Sequence, residues 1–181
     1  GLYMARWLRP FARFDLEPRT QIRRVRHLAF PILICVALMA PRLLSPQFGL
    51  FDDPTMLVTV QQMRDGTWSI AEEAGSGRFR PIYWLYHGLV YALAGKNPSL
   101  FFAGNLLLFV SLTIGVILLT GRLLESRSLA GLAGIVFALS GPILENVYTL
   151  SKPELVQSLW LVVALLLVFR RAAAHGDGRW L

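Results

Sequence analysis

The run PSLFFAGNLLLFVSLTIGVILL, residues 98–119, contains no charged side chain. A helix needs roughly 20 predominantly apolar residues to cross the hydrocarbon core of a bilayer. Backbone amides and carbonyls at that depth must be satisfied internally, so such a run can only be helical there. Three further blocks share its character: HLAFPILICVALMAPRLL (27–44), LAGLAGIVFALSGPIL (129–144) and PELVQSLWLVVALLLVF (153–169). With 55% hydrophobic and only 16% charged residues, the chain concentrates its apolar side chains in blocks and does not spread them over faces. The expected fold is therefore all-α, a polytopic transmembrane helical bundle with about four crossings. No small-residue cleavage site follows the first block, so it reads as retained and not as a signal sequence.

A net charge of +7 would suit a nucleic-acid binder, but the distribution of the arginines argues against one. Arg6, Arg9, Arg13, Arg19, Arg23, Arg24 and Arg26 precede the first block. Arg122 and Arg127 separate the second and third, and Arg170, Arg171 and Arg179 follow the fourth. Twelve of the 18 Lys and Arg thus fall on one side if there are four crossings. That is the cytoplasmic bias of membrane proteins, and it predicts a multi-pass protein of the plasma (inner) membrane with both ends cytoplasmic. PIYWLYHGLVYALAG (81–95) is short for a crossing and rich in Tyr and Trp, which favour the interface. Counting it as a span would move Arg122, Arg127, Arg170 and Arg171 outside, so it is expected flat or half-inserted at the outer surface. The single Cys35 excludes an intrachain disulfide.

The chain divides into a basic cytoplasmic lead (1–26), a transmembrane module (27–172) and a cytoplasmic tail or linker (173–181). Within the module, residues 45–97 form a long outer loop carrying amphipathic juxtamembrane helices. In DDPTMLVTVQQMRDGTW, Asp53 is the expected N-cap and Pro54 the first helical residue. Met56, Leu57, Val60 and Met63 recur on one face, and Asp65-Gly66 closes the helix in a turn. SKPE (151–154) fits a capping box, with Ser151 as cap and Glu154 three residues on. Ala130, Gly134 and Ala138 at four-residue spacing allow close helix packing in lipid. No break is expected inside the crossings, which counts against a transporter.

On the outer side the topology gathers Asp52/Asp53, Glu72/Glu73, Arg78/Arg80, Glu145 and Lys152/Glu154. Ionisable groups near bilayer depth usually face a protein interior or a watery cavity, so their convergence carries more weight than any one of them. Asp53 has capping to do, which leaves Asp52 as the acid without a structural duty. Arg78 and Arg80 suit the phosphates of lipid headgroups. His87 reads as a packing residue. No zinc, P-loop or nucleophile-triad pattern is present.

The ordered set FDDPTMLVTVQQMRDGTW, RFRPIYWLYHGLVYALAG and YTLSKPELVQSLW resembles the N-terminal part of the GT-C membrane glycosyltransferases. The likeness is to the branch of protein O-mannosyltransferases and lipid A aminoarabinose transferases. It implies transfer of a sugar from a polyprenyl-phosphate donor to an acceptor at the outer face, with inversion at the anomeric carbon. By position it implies catalytic roles for Asp52, as base or in orienting the acceptor, and for Asp53. It implies donor-phosphate contact for Arg80 and substrate binding by Arg78, Tyr83, Lys152 and Glu154. Some members of the family hold a divalent metal on loop acids, and Asp53 and Glu154 would be the positions here. This chain departs from the pattern with Asp at 53, a compressed RPIYW and Glu at 154, and family enzymes continue into further crossings. The expected partners are the lipid-linked donor, membrane lipids and further membrane subunits, with no nucleic acid. A second reading stays open: a non-catalytic subunit derived from the same fold, packing within a larger membrane complex.

Overall fold

Proline sets several of the helix starts. Pro81 and Pro98 stand in the first turn of their helices, where the missing N–H would have had no intrahelical partner. The computed structural model describes residues 18–50, 52–75 and 77–175. The lead before Pro18 and the tail beyond His175 lie outside the described residues. Among the described residues eight helices follow in order: α1 (Pro18–Leu44), α2 (Asp52–Arg64), α3 (Ile70–Gly75), α4 (Pro81–Ala94), α5 (Pro98–Leu124), α6 (Arg127–Ala138), α7 (Gly141–Tyr148) and α8 (Glu154–His175). The described residues form no strand, so the fold is all-α. Residues 18–26 belong to the same helix as the first apolar block.

Cross-helix contacts fix how these elements run. In α1 against α5, the Cys35 Sγ lies 3.4 Å from Thr113 Oγ1, and Arg42 stands over the Phe102 ring, so the two are antiparallel. In α5 against α6, Gly121 faces Ala130 and Gly134 faces Ile117, again antiparallel. In α5 against α8, Gly115 meets Val162 and Arg122 donates to the Leu166 carbonyl at 3.2 Å, so these two are parallel. One end of the bundle therefore carries the start of α1, the α5–α6 turn and the end of α8. The other carries residues 45–97 and 149–153. The α5–α6 turn is made at Glu125, whose φ of 52° is left-handed, and Ser126 caps α6 through the Leu129 amide.

α5 is long and apolar enough to span a membrane, and α6 with α7 would make a second span only as a bent pair. The bend between them is 56°, so the third apolar block is broken, contrary to the expectation of an uninterrupted helix. The cause is local. Ser140 turns its hydroxyl back to the Phe137 carbonyl at 2.8 Å, and Gly141-Pro142 restart the chain in a new direction. Within α6, Ala130, Gly131, Gly134 and Ala138 are buried, as close packing requires. Outward-facing positions on α1, α5, α6 and α8 carry large apolar residues, among them Leu33, Leu107, Val136 and Leu161. Such surface is the reverse of a water-facing helix.

The helices α2, α3 and α4 pack into a small helical cap at one end of the bundle. α4 buries Tyr83, Trp84, His87 and Tyr91 on one face and exposes Ile82, Leu85, Leu89 and Leu93 on the other. Its inner face meets α2, α5 and α8. Trp68 packs edge-on against Trp84 at 5.1 Å and Phe48 against Phe101 at 5.7 Å, tying the linkers to the same core.

Candidate functional site

Asp52, Thr55 and Met56 from the start of α2, Arg78 and Arg80 from the α3–α4 link, Tyr83 and Trp84 from α4, and Ser151–Glu154 ahead of α8 line one cavity of about 520 Å³. Six residues singled out from the sequence, Asp52, Arg78, Arg80, Tyr83, Lys152 and Glu154, meet there. Asp53 does not. It is 2% exposed, and its Oδ2 accepts the Gly49 N–H at 2.7 Å, while Oδ1 makes no hydrogen bond. Gly49 leaves room for this approach: a Cβ there would stand 3.2 Å from Oδ2. Asp53 thus reaches back to brace the Ser45–Leu50 linker, and α2 begins at Asp52, two residues before the start at Pro54 that a cap at Asp53 would give.

The expected capping box at 151–154 is also not formed. α8 starts at Glu154, the Gln157 amide bonds to the Pro153 carbonyl at 3.1 Å, and the Ser151 hydroxyl is buried without a partner at the cavity wall. Glu154 is therefore an exposed acid on the cavity, as is Asp52. Lys152 donates to the exposed Glu145 at 2.9 Å, and that bond, then the charge of Glu145, raises the Lys152 pKa.

Arg80 is held more firmly. Its Nε and Nη2 donate to Glu73 Oε1 at 2.7 and 2.5 Å, and its backbone N–H donates to Glu73 Oε2 at 3.0 Å. The guanidinium also lies over Tyr83 at 5.1 Å and Trp84 at 5.6 Å. Burial alone would raise the Glu73 pKa; the side-chain and backbone hydrogen bonds from Arg80 outweigh it and hold the carboxyl below its ordinary value. The turn that makes this possible is a Schellman closure of α3. Gly77 at φ +77° bonds to the Ala74 carbonyl, and the Arg78 amide bonds to the Glu73 carbonyl. The chain is thereby folded back so that residues 78 and 80 return over Glu73.

Beneath the cavity, Tyr83 donates to the Leu150 carbonyl at 3.5 Å, and burial raises its phenol pKa. His87 is 1% exposed and lies between the Tyr83, Tyr86 and Phe101 rings. Burial lowers its pKa to about 3, against a backbone hydrogen bond with Leu150, so it is a neutral packing residue.

Sequence alone assigns nothing to Thr55 or Trp84, makes Ser151 only a helix cap, and does not pair Glu73 with Arg80. Trp84 could have been found from the aromatic face of α4. The Glu73–Arg80 pair spans a reversal of the chain and leaves no periodic trace. Asp53 and Glu154 do not form a metal donor set, since one faces Gly49 and the other the cavity. Among the described residues, no three His, Cys, Asp or Glu side chains group so as to hold a metal ion. No family model, curated protein or solved structure matches the chain.

Proposed function

We propose that this chain forms the N-terminal, donor-binding part of a membrane glycosyltransferase of the GT-C kind, using a polyprenyl-phosphate-linked sugar at the outer face. The observation that carries this is the single cavity combining the exposed acids Asp52 and Glu154 with Arg78, Arg80 and Lys152. Transfer would break the bond between the anomeric carbon and the phosphate oxygen, leaving both electrons on the phosphate. Fixed cations beside that oxygen stabilise the developing charge. Asp52 would accept the proton of the attacking acceptor hydroxyl as its oxygen bonds to the anomeric carbon. Arg78, for which the described residues provide no ion pair, is the freest of the three cations.

Support for a multi-pass arrangement is twofold. Four helical segments alternate between the two ends of the bundle, and they turn large apolar residues outward. The arginines at 19–26, 122, 127, 170 and 171 collect at the end opposite the cavity, which fits a cytoplasmic end there. The cavity then faces the outer side.

The test is transfer by the complete protein, of which this chain would form the N-terminal part, in lipid nanodiscs with a polyprenyl-phosphate sugar as donor. Asp52→Asn should abolish transfer while insertion and prenyl-phosphate binding persist. Undiminished transfer removes the base assignment. Prenyl-phosphate binding with no turnover by the wild type would favour the non-catalytic subunit.

A further inference from the structure

Two of the three cavity cations are already held by carboxylates, and in opposite ways. Glu73 is 6% exposed and takes three donors from one residue, which fixes the Arg80 backbone and guanidinium together. A buried pair of this kind restricts a long side chain to one geometry. Nη1 of Arg80 is left out of the pair, and the residue still lines the cavity. Lys152 is bound differently. Its single hydrogen bond runs to Glu145, which is exposed and stands outside the cavity lining. An exposed pair on a flexible stem is weak and exchanges readily.

We propose that Glu73 is a positioning residue that presents Arg80 to a phosphate group in the cavity, whereas Glu145 competes with that phosphate for Lys152. The inference deepens the donor reading and rests on it. Arg80 then acts as a preformed half of the anion site, which costs no ordering on binding. Lys152 is a recruitable half that leaves Glu145 when a phosphate arrives. The α3 closure at Gly77 exists to set Glu73 beneath Arg80. The two carboxylates thus have effects of opposite sign, which simple neutralisation of nearby positive charge cannot produce.

The experiment titrates the intact chain in nanodiscs of neutral lipid with three probes: a short polyprenyl monophosphate, an anionic phospholipid and inorganic phosphate. Glu73→Gln offers one acceptor where the pair uses two, so its prenyl-phosphate affinity should fall about tenfold, close to that of Arg80→Gln. Glu145→Gln should bind about two- to threefold more tightly. The double variant Glu73→Gln/Arg80→Gln separates positioning from folding. It removes the unpaired, half-buried Arg80 charge and should recover thermal stability lost by Glu73→Gln alone, while its affinity equals that of Arg80→Gln. A double variant that binds more weakly than Arg80→Gln alone would give Glu73 an effect not routed through Arg80 and reduce it to a structural role, and a Glu73→Gln affinity equal to or above wild type overturns the proposal outright. Preference for the prenyl phosphate over the phospholipid assigns the site to the donor. Preference for the phospholipid, or for inorganic phosphate, leaves the Glu73 and Glu145 effects readable while overturning the donor reading. Wild-type protein that binds none of the three overturns both.

Discussion

Asn105 donates from Nδ2 to the carbonyl of Val147 across 3.1 Å, and both groups are buried. The bond ties the last turn of the bent segment α7 to α5, where a helix end would otherwise leave a carbonyl unpaired. Asn105→Ala should lower stability by about 1–2 kcal/mol. Thermal unfolding in detergent checks this, and an unchanged midpoint would mean that Val147 finds another donor.

Gly134 is the closest point of approach among three helices. A Cβ placed there would lie 2.6 Å from Ile117 Cδ1 and 3.7 Å from Pro31 Cβ. Gly134→Ala must push α5 from α6 or force Ile117 off its rotamer, at a cost of about 1–3 kcal/mol. Gly141→Ala meets nothing within 4 Å and serves as the matched control. Equal melting of the two variants would show that the seam is looser than the contact implies.

Gly77→Ala tests the closure of α3. A side chain at φ +77° is strained by about 1 kcal/mol, although nothing crowds the position. The expected result is a small loss of stability and a larger loss of prenyl-phosphate affinity, because Arg78 and Arg80 ride on the turn. Loss of stability alone would separate the turn from the site.

Acid should weaken the fold in two steps. The folded His87 pKa, about 3, lies below its ordinary 6.5, so the unfolded chain binds the extra proton between those values. Stability therefore falls as the pH drops below 6.5, and His87→Phe should flatten that part of the profile. The Glu73 pKa is depressed, so its pairing contributes fully above the ordinary value of 4.5 and is lost as pH falls through the lower folded value. In a plot of melting temperature against pH, the gap between wild type and Glu73→Gln should close only below 4.5. A gap that closes above it would contradict the depressed value.

Much of the helical plan was legible because it follows from local chemistry. Apolar run length marks α5, and Asp65-Gly66 ends α2 as expected, with Gly66 at φ 71° and the Thr67 amide closing on the Gln62 carbonyl. The grouping of Asp52, Arg80 and Glu154 followed from the order of motifs once the outer loop was assumed to fold back. What failed was side-chain direction. Asp53 has the residue type of a cap, but its carboxylate accepts from the Gly49 amide and not from its own helix. Ser151 and Glu154 have capping spacing, yet Pro153 disfavours helical backbone at Lys152, and the helix starts only at Glu154. The Ser140-Gly141-Pro142 break was readable as a run of helix breakers, and the apolar flanks concealed it.

The one cysteine gives the molecule a built-in reporter. Cys35 is fully enclosed where α1 meets α5, against Thr113. A maleimide can reach it only when that seam parts. Alkylation of the unmodified chain therefore clocks how often the two helices separate, without any engineered label.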